Sequence, residues 1–176
     1  MNKQDINELS LYLKNLPRLA DKGKSGRVEK AKRDFFYFIQ TYFPHHIEHA
    51  ETETSEFRRF VHEKLYGLSK QHKKLLFTAY RGAAKTTTIT QLFTLWLLAK
   101  QEIHFGVLIS STDTLAGLIF ELYKTELEDN ANFKADFEIT TPSVWREKEL
   151  VIDVAGHLCK LAGYGAGKKL RGIKFL

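Results

Sequence analysis

Apolar positions in the first third of the chain recur at helical spacing. Ile6, Leu9, Leu13 and Leu16 form one stripe that stops at Pro17, which predicts a short amphipathic N-terminal helix. The polar run Asp21-Lys22-Gly23-Lys24-Ser25-Gly26 then reads as a flexible basic linker. Beyond it Ala31, Phe35, Phe38, Ile39 and Tyr42 mark an aromatic face and predict a second helix over 28–43, closed by Pro44. A third helix is expected over 55–68, where Phe57, Phe60, Val61, Leu65 and Leu68 keep the same spacing and Gly67 stands near the end.

The pattern changes after residue 70. The apolar run 75–79 reads as a buried strand, and Ile89, Leu92, Phe93, Trp96 and Leu97 then describe a helix that is apolar all round by Leu98. A second strand is expected over 105–109. It ends in Ser110-Ser111-Thr112-Asp113, residues that cap a helix start, and the helix they open carries Leu115, Leu118, Ile119, Leu122 and Leu127 on its expected buried side. Strand, helix, strand, helix predicts a parallel sheet with right-handed crossovers, whose ligands bind at the carboxyl ends of the strands. Residues 81–86 and 110–113 would both lie there. Farther on, 137–140, 144–145, 149–153 and 157–161 read as short strands in hairpin succession, with Val154-Ala155-Gly156-His157 as a turn. The expected fold is α/β: a helical N-terminal extension over 1–70, then a partial parallel sheet with flanking helices over 71–176 that passes into a β-hairpin region.

Between the first strand and its helix stands Arg81-Gly82-Ala83-Ala84-Lys85-Thr86-Thr87. This is the layout of a phosphate-binding loop, in which backbone N–H groups and a helix N-terminus face the phosphates, a lysine reaches the β- and γ-phosphates, and a hydroxyl holds Mg²⁺. Lys85 supplies the cation and Thr86 the hydroxyl. Gly82, Ala83 and Ala84 let the backbone approach oxygen, and Thr87 completes the nucleotide-contacting set. In the spacing G-x-x-x-x-G-K-[ST] the glycines fall on Ala79 and Ala84, so Gly82 has to take the left-handed residue of the loop. An ordinary strand-to-helix turn on a basic surface also fits a bare Ala-Lys-Thr; the strand and helix order around it favours the phosphate loop. The first turn, Thr86-Thr87-Thr88-Ile89-Thr90, is β-branched and a poor helix former, a conflict expected where function overrides propensity.

Composition narrows the classes. The 43% hydrophobic and 27% charged content of the 176 residues is that of a globular protein rather than a disordered one. The longest apolar run, 95–99, is too short to span a bilayer, and the start is polar, so the expected location is cytoplasmic with no membrane partner. The single cysteine, Cys159, reads as a small core residue. A net charge of +6 points to an anionic partner, and the charge is uneven: Lys22, Lys24, Arg27, Lys30, Lys32 and Arg33 cluster near one end, and after Asp153 no acidic residue follows, while Lys160, Lys168, Lys169, Arg171 and Lys174 do. His45, His46 and His49 read as surface histidines, since the i,i+4 pair lacks the glutamate of a metalloprotease helix.

Four stretches in order, Tyr42-Phe43-Pro44-His45, Ala79 to Thr86, Leu108-Ile109-Ser110-Ser111-Thr112 and Gly165-Ala166-Gly167-Lys168-Lys169-Leu170-Arg171-Gly172, make the chain resemble the N-terminal ATPase half of a phage terminase large subunit. The resemblance implies a P-loop NTPase-like fold of the RecA/ASCE type, ATP and Mg²⁺ as cofactors, and a role in viral genome packaging by a bacteriophage or prophage, in the cytoplasm of a bacterial host. It implies double-stranded DNA, the portal protein and the terminase small subunit as partners, and a homo-oligomeric ring. Lys85 and Thr86 become the phosphate and Mg²⁺ ligands. Arg81 gains a charge-stabilising or nucleotide-sensing role, and Arg171 becomes the candidate for a finger reaching a neighbour's nucleotide. The strand ending in paired acids that such motors place next, and the nuclease carboxylates, do not occur within these residues, so slow turnover is expected. Two alternatives stay open: a non-enzymatic nucleic-acid or packaging-complex binding remnant, and a complete small ATPase using Asp153.

Overall fold

The computed structural model describes residues 3–47, 56–66, 76, 86–141 and 144–166. They belong to two compact units, one made of Met1–Lys22 and Ile103–Leu176 and the other of Gly23–Glu102.

The first unit is a mixed α/β layer. Helix α1, Lys3–Asn15, buries Leu13 as its stripe requires, and Leu11 on the opposite side stays exposed. The later part of the unit runs β1, Phe105–Ser110; α6, Asp113–Asp129; α7, Ala131–Phe137; β2, Ile139–Thr140; β3, Trp145–Arg146; β4, Glu149–Val154; and β5, His157–Gly165. The strands form one sheet in the order β1-β5-β4-β2, with β3 also paired to β4. β1 and β5 are parallel, in the register Phe105↔Lys160 to Ser110↔Gly165, and all other pairs are antiparallel. The sheet is therefore mixed: β1 and β5 supply a parallel pair, and the expected hairpin region supplies the antiparallel ones. The physical reason lies in two tight turns: Glu147-Lys148 reverses β3 into β4, and Ala155-Gly156, both at positive φ (48° and 86°), reverses β4 into β5. That second turn is the one the sequence marks.

The sheet buries one face. Leu150, Ile152 and Val154 alternate inward along β4, joined by Cys159 and Leu161 of β5, and α6 packs on this side. Two glycines make the fit possible. A Cβ on Gly163 would stand 2.6 Å from the Phe120 ring of α6, and one on Gly165 would collide with the Asp113 nitrogen. The buried face of α6 is Ala116, Ile119, Phe120, Tyr123 and Leu127, whereas Leu115 is exposed and Leu118 and Leu122 are only half-buried, so the expected face is rotated. α7 was not expected. Asn130 opens it by accepting the Phe133 N–H at 3.1 Å, and Phe133 and Phe137 lie buried on one side.

In the second unit the single helix expected over 28–43 is two. α2, Lys24–Arg33, begins inside the stretch read as linker, with Gly23 in the left-handed region at its start. Asp34 takes extended backbone (φ −122°, ψ 109°) and caps α3, Phe35–Tyr42, by accepting the Tyr37 N–H at 3.0 Å. A short 3₁₀ turn, Pro44–His46, follows, and α4, Glu56–Tyr66, buries Val61 and Leu65. A π-helical turn, Thr86–Leu92, runs directly into α5, Phe93–Ala99. Trp96 is the anchor: its indole N–H donates to the Ala31 carbonyl at 2.8 Å, and the Phe35 ring stands 5.2 Å away. Burying a side chain of this size contributes about 1.5–3 kcal/mol or more. Of the strand expected over 75–79, only Leu76 is described; it is 89% exposed and in no strand.

Candidate functional site

Thr86 is the first described residue after the small-residue run, and the described part of the helix begins with it. Its side chain is exposed, that of Thr87 is half-buried, and Thr88 is buried. The β-branched crowding of 86–90 is resolved by widening the turn. A π-turn hydrogen-bonds i to i+5 instead of i+4 and relieves the steric load that such side chains place on the preceding turn. Turns of this kind are rare and occur frequently at functional sites. Arg81, Gly82, Ala83, Ala84, Lys85 and Arg171 lie outside the described residues, so Thr86 and Thr87 are the predicted site residues whose placement is known.

Beside this turn a cavity of about 50 Å³ is lined by Thr87, Thr88 and Leu92 together with Phe35, Phe36, Ile39, Gln40, His46 and Ile47. Ligand pockets typically hold about 300–1,000 Å³. The cavity is therefore a packing gap between α3 and the π-turn, with room for water but none for a nucleoside. His45 and His46 are half-buried rather than on the surface, their rings 4.2 Å apart, and His49 lies outside the described residues.

In the first unit, the carboxyl ends of β1 and β5 lie side by side. The Ala166 N–H donates to the Ser110 carbonyl at 2.7 Å, and Thr112 caps α6 by accepting the Leu115 N–H at 3.1 Å, the capping that Ser110 to Asp113 foretell. A cavity of about 650 Å³ opens at the start of α6, walled by Ile6 and Asn7 of α1, by Asp113, Thr114, Gly117, Leu118 and Glu121, and by Glu147 and Lys148. Lys148 pairs with Asp113, and this hydrogen bond holds the Lys148 ammonium above its usual range. Glu149, bonded to Lys160 at 2.5 Å, is held below the usual carboxylate range by that contact. Asp153 sits in the β4–β5 hairpin, where its carboxylate accepts the Gly156 N–H at 2.7 Å, away from the carboxyl ends of the parallel pair.

One residue of the π-turn escaped the sequence reading. Gln91 is 2% exposed, and among the described residues its Nε2 has no hydrogen-bond partner. The signal was there: a lone amide on the apolar side of a helix, flanked by Ile89, Leu92 and Phe93.

The protein is thus of mixed α/β class, with a sheet of parallel and antiparallel strands and flanking helices. Among the described residues no helix is long and apolar enough to cross a membrane. No family model, curated protein or solved structure matches the chain.

Proposed function

We propose that the chain is a nucleotide-binding segment of a DNA-packaging motor of the terminase large-subunit type, with residues 81–87 as its phosphate loop. The observation that carries this reading is the position of Thr86. It stands exposed at the first described residue of a helix, directly after Arg-Gly-Ala-Ala-Lys in sequence, and helix N-termini favour anions through free N–H groups and the macrodipole. A hydroxyl is also the hard oxygen donor that Mg²⁺ takes. In this reading Thr86 holds Mg²⁺, Lys85 and Arg81 balance phosphate charge, Thr87 and the backbone of Gly82, Ala83 and Ala84 line the phosphates, and Arg171 serves a neighbouring subunit. Bound MgATP supplies the transferable phosphoryl group; the chain binds and orients it. Double-stranded DNA, the portal protein, the terminase small subunit and a ring of copies are the partners that belong to this reading.

Titrating a fluorescent ATP analogue with and without Mg²⁺ tests it. Wild type should bind more tightly with Mg²⁺, and Thr86→Ala should erase that difference; an unchanged Mg²⁺ dependence in Thr86→Ala rejects the assignment.

A second reading, a nucleic-acid-binding module without turnover, has its own observation. The ten residues of α2, KSGRVEKAKR, carry five cations against one acid, and Arg33 makes an exposed pairing with Glu29 at 3.4 Å. The logarithm of the duplex binding constant should then fall linearly with log salt, by a slope of about 0.9 for each phosphate neutralised, and should ignore nucleotide. If ATP changes the affinity, the motor reading is favoured.

A further inference from the structure

We propose that the cavity at the start of α6 is a binding site for a small aliphatic polyamine, an organic cation whose ammonium groups are separated by methylene chain. None of its wall residues belongs to the phosphate loop, and all of them are described residues of the first unit. At about 650 Å³ the cavity falls within the range of about 300–1,000 Å³ typical of ligand pockets. It also lies where open α/β sheets place their ligands. β1 and β5 end together against α6, and the β3–β4 turn is held at the same end by the Gly163 N–H, which donates to the Lys148 carbonyl at 2.9 Å.

The charge of the wall selects the ligand. It carries the carboxylates of Asp113, Glu121 and Glu147 against the single ammonium of Lys148, in a chain whose net charge is +6. Lys148 is already taken by Asp113, and Lys124 takes Oε1 of Glu121 at 2.9 Å. Glu147 makes no hydrogen bond or ion pair among the described residues. Its Oε1 lies against α6, where a Cβ on Gly117 would stand 3.1 Å away, so the glycine is what gives this carboxylate its place beside the helix.

The spacing of the acids favours an extended cation over a metal ion. Asp113, Gly117 and Glu121 stand at i, i+4 and i+8 on one face of α6, which separates the two acidic residues by about 12 Å along the axis. A hard metal ion needs its oxygen ligands within about 2.0–2.6 Å of one point, and these three carboxylates do not come together as such a group. Acceptors strung along a groove, with Ile6 and Leu118 as apolar wall, match a cation strung along its own methylene chain: the ammonium groups meet carboxylates, and the methylenes lie on the side chains.

The test is calorimetric titration of spermidine into the full chain at low salt, with propylamine as the single-charge contrast and MgCl₂ as the metal contrast. Wild type should bind spermidine saturably at one site and propylamine far more weakly. Glu147→Gln breaks no bond within the described residues, so it should keep the thermal midpoint and weaken spermidine about fivefold, the upper value for an exposed ion pair. Gly117→Leu should weaken it too, by putting a side chain into the cavity with every charge left in place; should that variant fold poorly, Glu147→Gln decides alone. Glu63→Gln, an exposed acid of α4 in the other unit, should bind as wild type does. No saturable binding by wild type overturns the proposal, as does unchanged affinity in Glu147→Gln. An equal loss in Glu63→Gln overturns it as general attraction to the surface, and displacement of spermidine by Mg²⁺ beyond what NaCl of the same ionic strength achieves overturns it in favour of a metal site.

Discussion

The backbone N–H of Ala166 meets the carbonyl of Ser110 at 2.7 Å, which ties the residue after β5 to the last residue of β1. Next to this bond, Gly165 lies against the backbone of Asp113 so closely that any side chain would collide with it. The two parallel strands therefore end together against the first turn of α6, the position at which open α/β sheets place their ligands.

Gly165→Val should be destabilising by about 1–3 kcal/mol, because a branched side chain has to displace backbone rather than the tip of a flexible side chain. Urea unfolding checks it. Gly156→Asn is the contrast: nothing stands within 4 Å of a Cβ there, and asparagine tolerates the left-handed φ of 86° that the turn needs, so the midpoint should hardly move.

Thr112→Ala should cost about 1 kcal/mol, since the Leu115 N–H loses its side-chain acceptor at the start of α6, and Thr112→Ser should restore most of it. The urea midpoints of the three proteins, at constant slope, measure this directly.

Cys159 gives a pH dependence of defined sign. Burial pushes its thiol from 9.0 up to about 12. The folded state thus keeps a proton that the unfolded state releases, and the contribution is present below pH 9 and lost as pH rises from 9 toward 12. Cys159→Ala should flatten the fall in stability across that window. At pH 8 the native thiol should resist alkylation by iodoacetamide and react once urea unfolds the chain.

Much of this architecture was legible because the helical and strand periods are. α1, α5, β1, β4 and β5 fall where apolar spacing puts them, and Thr112 caps α6 as a run of small polar residues announces. What the spacing missed has local causes. Asp34 interrupts the helical stripe of 28–43 because its carboxylate caps the next helix more favourably than it continues the last one, an effect invisible to a count of apolar positions. α6 buries Ala116 and Tyr123, which a leucine stripe does not announce, and the space for Phe120 is set by Gly163 on a strand far along the chain. α7 is only two turns long, and assigning Phe137 to a strand hid its i,i+4 pairing with Phe133, whose rings lie 5.3 Å apart. At the candidate site the conflict of 86–90 was visible but its resolution was not: a π-turn follows from how four threonines and an isoleucine crowd, not from any periodicity. Gln91 was passed over because a single amide among apolar neighbours carries no pattern of its own. The parallel partner of β1 also came from the far end of the unit, since register across a long connection is set by packing.

The most direct test of the nucleotide assignment is isothermal titration of MgATP into the wild-type chain and into Lys85→Ala. A lysine that reaches the β- and γ-phosphates predicts measurable binding by wild type and at least a tenfold loss, about 1.4 kcal/mol, in the variant. Equal binding by the two proteins, or no binding by either, would contradict it.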